Sequence, residues 1–200
     1  MAKRAQAKPA DPGTRVVDAA LRLAAARGWS GLALADIAAA AAISLADLYA
    51  LYPSKAAILE ALSRNVDRQV LAGLDAEATE TPRDRLFDVL MRRFDALAPY
   101  REGLAAVARD ARRDPTILLC GAGQLARSMA AMLEAAGISS GGLTGALRTK
   151  GLAAIYLATL RDWFGDDTAD KAKTMAALDA RLRRAESCVR WFDRRGRATG

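Results

Sequence analysis

Between Asp36 and Lys55 the chain sets out side chains suited to the edge of a nucleic-acid groove rather than to bond-making chemistry. Leu45 and Ala46 offer apolar surface to a thymine methyl, and Asp47 offers an acceptor to a cytosine amine. Ser44 places a hydroxyl at the start of the same short segment. Lys55 falls in the first turn of a following helix, where unpaired N–H groups favour a phosphate. These groups act together only if one short helix projects them on one face.

The segment DIAAAAAISLADLYALYPSKAAIL, residues 36–59, supplies such a helix. Asp36 to Ala41 is alanine-rich and helical by propensity. Ala42-Ile43 is a brief turn, and Ser44 caps a second helix from Leu45 to Tyr52. Pro53 stops that helix, because it lacks an N–H and biases Tyr52 away from helical angles. Ser54 then caps a helix that opens with Lys55. Two short helices joined by such a turn suit a helix-turn-helix, whose second helix lies in the DNA major groove.

These residues resemble the DNA-binding domain of TetR-family repressors. Ile37-Ala38 matches the family's Ile-Ala, Ala41-Ala42-Ile43-Ser44 loosely matches its Ala-Gly-Val-Ser turn, and Leu48-Tyr49-Ala50-Leu51-Tyr52-Pro53-Ser54-Lys55 matches its Leu-Tyr-x-His-Phe-x-Ser-Lys. The resemblance covers about residues 14–62. It implies that Ser44, Leu45, Ala46, Asp47 and Tyr49 lie near double-stranded operator DNA, with Tyr49 and Lys55 on phosphates. The chain departs from the pattern at four places. Ala42 replaces the turn glycine, Leu51 replaces the histidine, and Leu32 and Ala33 stand where a hydroxyl usually caps helix two. Asp47 stands where a hydroxyl or basic group is usual, and a carboxylate beside a phosphate is repelled.

Catalytic and metal chemistry find little support. The chain has no histidine, which removes His-dependent triads and the commonest zinc sites. No motif places the carboxylates, lysines, tyrosines or two cysteines, so no enzyme, catalytic residue, cofactor or metal is expected. Asp162, Asp166, Asp167 and Asp170 read as helix caps and solvated groups rather than a cation site. Cys120 and Cys188 lack a CxxC spacing and read as buried thiols in a reducing cytosol. Apolar runs such as Ile37 to Ile43 fall far short of the roughly 20 residues of a membrane span. The N-terminus lacks the apolar core of a secretory signal. A cytoplasmic protein with no membrane span is expected.

Apolar content is 52%, enough for a substantial core, and alanine-rich composition without strand-type runs makes the class all-α. About nine helices are expected: a flexible basic arm at 1–13, a three-helix helix-turn-helix domain at 14–60, a larger helical bundle at 61–195 and a tail at 196–200. The net charge of +7 is uneven. Residues 1–60 carry +2, residues 61–170 carry −1 and residues 171–200 carry +6. The basic excess therefore lies at the C-terminus rather than in the helix-turn-helix.

Trp29 closes the small N-terminal core, and Thr14 is read as the cap of the first helix. A helix from Lys55 to about Ala78 joins the two domains. Further along, Leu90, Phe94, Leu97, Met129, Met132, Tyr156, Leu160 and Trp163 are expected to line a pocket for a small apolar ligand. The last helix places apolar residues at 175, 178, 182, 185, 189 and 192, a heptad seam that needs another helix. The resemblance implies a homodimer through the last two helices, with Leu152, Ile155, Leu178, Leu182 and Val189 at its interface. The run KTMAALDARLRRAE, residues 173–186, is also similar to the last part of the lipid-binding ubiquinone-biosynthesis proteins that share the TetR fold. That similarity implies an alternative, an isoprenoid or quinone-related lipid carrier that does not bind DNA.

Overall fold

The computed structural model describes residues 11–74 and 80–198, with side chains as far as Ser187. Within those residues the chain forms nine α-helices and one 3-10 turn, and no strand. The all-α expectation holds. The helices are α1 (Pro12–Arg27), α2 (Leu34–Ala40), α3 (Leu45–Leu51), α4 (Lys55–Ala72), α5 (Pro82–Leu97), α6 (Arg101–Asp110), α7 (Thr116–Ala135), α8 (Gly142–Phe164) and α9 (Ala172–Ala198).

Two compact units emerge. The first joins Met1–Leu62 to Tyr100–Leu118, and the second joins Ser63–Pro99 to Leu119–Gly200. The expected N-terminal domain thus gains α6, which comes from far along the chain. Hydrophobic periodicity along α1 foretells a buried face but not which helix covers it. That face, with Val16, Val17, Ala20, Leu21 and Ala24, is fully buried. Gly103 lets α6 approach it closely: a Cβ there would collide with the Leu21 carbonyl. Tyr100, just before α6, donates its hydroxyl to Asp18 Oδ1 at 2.8 Å. Burial and that carboxylate push the Tyr100 pKa up to about 12.

Several helix ends follow local chemistry. Ser44 Oγ accepts from the Asp47 N–H at 3.0 Å, and Thr81 Oγ1 from the Asp84 N–H at 3.2 Å. Tyr52 leaves α3 in an extended conformation, as the following Pro53 requires. One cap differs from expectation. α1 begins at Pro12, not Thr14, because Asp11 Oδ2 accepts from the Gly13 N–H and proline suits the first helical position. The expected arm therefore ends at Asp11, and its residues 1–10 lie outside the described ones.

In the second unit the core contains Val66 and Val70 of α4, Leu90 and Phe94 of α5, Met129, Met132 and Leu133 of α7, Leu152, Tyr156 and Trp163 of α8, and Leu178 and Leu182 of α9. α7 is long and apolar enough, by length and composition alone, to cross a membrane; the runs counted in the sequence missed it because glycines and polar residues interrupt them. Cys120, near its start, is exposed rather than buried, since the first turns of α7 pack on little. Cys188 lies among the side chains not described.

The aspartates around residue 166 serve as caps and ion pairs. Asp162 pairs with Arg181 at 2.6 Å. Asp166 is buried and accepts from Thr168 and Thr174, through both their hydroxyls and their backbone N–H groups. The Thr168 and Thr174 hydroxyls, then the N–H groups, hold its carboxyl far below the ordinary value of 3.8. A depressed native pKa contributes stability above the unfolded value, and that contribution is lost as pH falls through it. Asp166→Ala should therefore be clearly less stable than wild type at pH 7, with the gap closing progressively below about pH 4. Urea titrations of both proteins at pH 7 and pH 3 check this.

Candidate nucleic-acid interface

The second helix of the helix-turn-helix has one buried anchor and an open face. Leu48 is fully buried, whereas Ser44, Leu45, Ala46, Asp47 and Tyr49 are exposed, Tyr49 to 61%. The five side chains assigned to the groove are thus brought together on the accessible side of α3. Leu51 is also exposed, at 46%, and adds apolar surface at the far end of the helix.

Asp47 is less free than its sequence position suggests. Its Oδ2 accepts the Ser44 hydroxyl at 2.6 Å while its N–H donates back to Ser44 Oγ. The carboxylate is drawn into the cap at the start of the helix. Asp36 Oδ2 does similar work at the start of α2, accepting from the Ala33 N–H at 3.0 Å. That bond is why α2 starts at Leu34 although no hydroxyl stands at the preceding position.

The turn between the two helices carries strain. Ala42 sits at φ 52°, in the left-handed region. A Cβ there costs roughly 1–2 kcal/mol, which a glycine would avoid. The geometry of the turn is kept even though its usual residue is absent.

Lys55 is half-buried beneath the corner that follows α1. Its Nζ donates to the Trp29 carbonyl at 2.8 Å and the Ser30 carbonyl at 3.2 Å, and stands 5.5 Å from the centre of the Trp29 ring. Burial lowers its pKa, and the charge of Asp110 opposes that shift. An ammonium has three donors. Two go to these carbonyls, so Lys55 braces the domain. Trp29 is buried, which agrees with its structural reading.

Residues 16–62 match the family described as bacterial regulatory proteins, tetR family. Similarity to solved structures extends over most of the chain. A TetR transcriptional regulator from Nitrosomonas europaea is 25% identical, with a TM-score of 0.70 over 88% of this chain and 99% of that one. The chain has the fold and DNA-binding domain of a TetR-family transcriptional regulator. Salmonella enterica GusR shares the fold at 18% identity and a TM-score of 0.58, over 90% of this chain and 97% of its own. NalD, the secondary repressor of the MexAB-OprM multidrug efflux pump in Pseudomonas aeruginosa, shares it at 20% identity and a TM-score of 0.51, over 86% and 96%. No curated protein sequence matches the chain.

The second unit gathers the residues expected to line a ligand pocket. Leu90, Phe94, Leu97, Met129, Met132, Tyr156 and Trp163 are buried, and Leu160 is half-buried. Phe94 lies at the centre of the aromatic group, stacked on Tyr156 at 5.4 Å and tilted against Trp163 at 5.7 Å. An open groove of about 320 Å³ lies elsewhere in the unit, lined by Gln69, Val70, Gly73, Arg92, Asp95 and Ala96.

Sequence reasoning missed a charged cluster in this interior. Arg93 is 3% exposed, pairs with Asp67, and donates to Ser63 Oγ and to the Tyr156 hydroxyl. Asp67 also accepts from Ser128 at 2.6 Å and from Gln124 at 3.4 Å. A signal was present. Arg93 falls between Leu90, Phe94 and Leu97 on the apolar face of α5, where a charge must be paired.

The residues expected at a dimer interface fall in two groups. Leu152, Leu178 and Leu182 are buried within the chain, where α8 packs on α9, and Ile155 is half-buried. Val189 lies among the side chains not described. Leu178 and Leu182 of the α9 seam are thus covered within the chain, where α9 packs on α8 and α5, while Met175 and Ala185 are half-buried. Leu143, Leu147 and Leu157 instead stand open on one face of α8, at 92%, 72% and 42% exposure.

Proposed function

We propose that this chain is a homodimeric, cytoplasmic repressor that binds an operator through α3 and releases or engages it under control of a small apolar ligand held in the second unit. The carrying observation is the α3 surface, where Ser44, Leu45, Ala46, Asp47 and Tyr49 are exposed around the buried Leu48. The repressor sense is supported by NalD, and the ligand by the aromatic and methionine cluster around Phe94. Leu45 and Ala46 would meet thymine methyls, and Tyr49 and Lys55 phosphates.

Selection from random duplexes with the purified full chain tests this reading. A near-palindromic site should be enriched, and its affinity should fall as salt rises. No enriched site, together with co-purified isoprenoid lipid, would replace the regulator with the lipid carrier. Asp47→Thr should strengthen operator binding about five- to tenfold, because it removes a carboxylate worth roughly 1 kcal/mol of phosphate repulsion. Ser44 can still cap the position-47 N–H, so helix content should not change.

The open α8 face supplies the proposed two-fold contact, and such a contact is self-complementary. Leu147→Glu should weaken the dimer by roughly 2 kcal/mol or more, since it replaces a buried leucine contact on both subunits. Sedimentation would then show monomer at micromolar concentration. The melting temperature extrapolated to the monomer should stay near wild type, because Leu147 packs on little within its own chain.

A further inference from the structure

α6 supplies a group that the helix-turn-helix segment lacks. Asp110 is 9% exposed, and its Oδ2 alone accepts from the Trp29 N–H at 2.7 Å and the Ser30 N–H at 2.8 Å. Lys55 holds the carbonyls of the same two residues. The corner after α1 is therefore gripped by a carboxylate on its N–H groups and an ammonium on its carbonyls. Donation to a carboxylate polarises hydrogen-bonded peptides and strengthens their partner bonds. Gly28 at φ 83° turns the chain into this corner, and the space its Cβ would fill lies 3.5 Å from Asp110 Oδ2.

An exposed lysine loses rotamer freedom when it grips a phosphate. Lys55 has already lost it to the two carbonyls, and one of its three N–H donors remains. We infer that Asp110 is a positioning residue for DNA binding: acting through the Trp29–Ser30 backbone, it fixes the Lys55 ammonium where its remaining N–H meets a DNA phosphate. The inference rests on the regulator reading above and adds a residue some eighty positions from the corner it holds.

The test measures binding of the full chain to a selected duplex across a range of potassium chloride concentrations. Lys55→Gln should lower the slope of log affinity against log salt by about 1.8, the value of two phosphate contacts on duplex DNA, one from each subunit of the dimer. Asp110→Ala should lower the slope by the same amount and weaken binding about tenfold at moderate salt. Asp110→Ala combined with Lys55→Gln should be no worse than either alone. Asp110→Asn should restore the slope, because an amide oxygen can accept the same two N–H groups. Circular dichroism checks folding; if Asp110→Ala does not fold, Asp110→Ser, too short to reach both N–H groups, takes its place with the same expected slope. A folded variant that binds more weakly with a wild-type slope, its loss multiplying that of Lys55→Gln, overturns the inference and leaves the regulator reading standing. A wild-type chain that enriches no duplex overturns both.

Discussion

Asp67→Ala should destabilise the protein by about 3–5 kcal/mol, because it strands the Arg93 guanidinium inside the second unit. Arg93 is 3% exposed and takes its charge partner from Asp67 alone among the groups bonded to it; Ser63 and Tyr156 are neutral acceptors. Removing the carboxylate also leaves the Ser128 hydroxyl without the acceptor it uses at 2.6 Å. Replacing both members of the pair, with Asp67→Leu and Arg93→Met, should recover most of the loss. Two desolvation penalties disappear with the two charges, and apolar side chains of similar volume fill the space. Urea unfolding of Asp67→Leu, Arg93→Met and their combination forms a mutant cycle. A coupling below about 1 kcal/mol would mean that the pair is solvated and contributes no more than a surface salt bridge.

Gly103→Val should cost about 3 kcal/mol in the first unit, and more if α6 cannot shift. A branched side chain there meets the Leu21 carbonyl, which is backbone and cannot swing aside. The expected loss exceeds the gain of roughly 0.5–1 kcal/mol that leaving glycine ordinarily brings inside a helix. Because α6 also carries Asp110, the same change should weaken operator binding more than its effect on helix content would suggest. Thermal unfolding gives the first quantity and duplex titration at fixed salt the second. A stable, tightly binding Gly103→Val protein would show that the close contact between α1 and α6 is dispensable.

What the sequence revealed and what it hid divide along a physical line. Ser44, Pro53 and Leu48 were readable because each acts within one turn of its own position. A cap needs an acceptor beside its N–H, a proline ends what precedes it, and an apolar residue among polar ones is buried. The open face of α3 was readable for the same reason. Asp110 was not, because its partners at Trp29 and Ser30 are set by the packing of α6 on α1 rather than by any local pattern. Lys55 was legible as a cation at a helix start, but its two carbonyl partners belong to another turn of chain. Leu178 and Leu182 illustrate a different limit. Their heptad spacing called for a neighbouring helix, and spacing alone does not say which; here both are buried within the same chain, where α9 packs on α8 and α5.

The first unit is drawn from two stretches of chain, Met1–Leu62 and Tyr100–Leu118, and this sets a clock on its folding during synthesis. The helix-turn-helix residues leave the ribosome first, yet the α1 face they share with α6 stays open until α6 has followed. At about 5–20 residues per second, the stretch from Leu62 to Leu118 takes roughly 3 to 11 s to make. Closing that long loop raises the contact order of an otherwise local, fast-folding helical domain. For those seconds the nascent chain exposes Val17 and Leu21 and leaves the Trp29 and Ser30 N–H groups without their carboxylate. A rare-codon pause placed between the two stretches would lengthen the window in which the half-built domain can be captured by a chaperone or a protease.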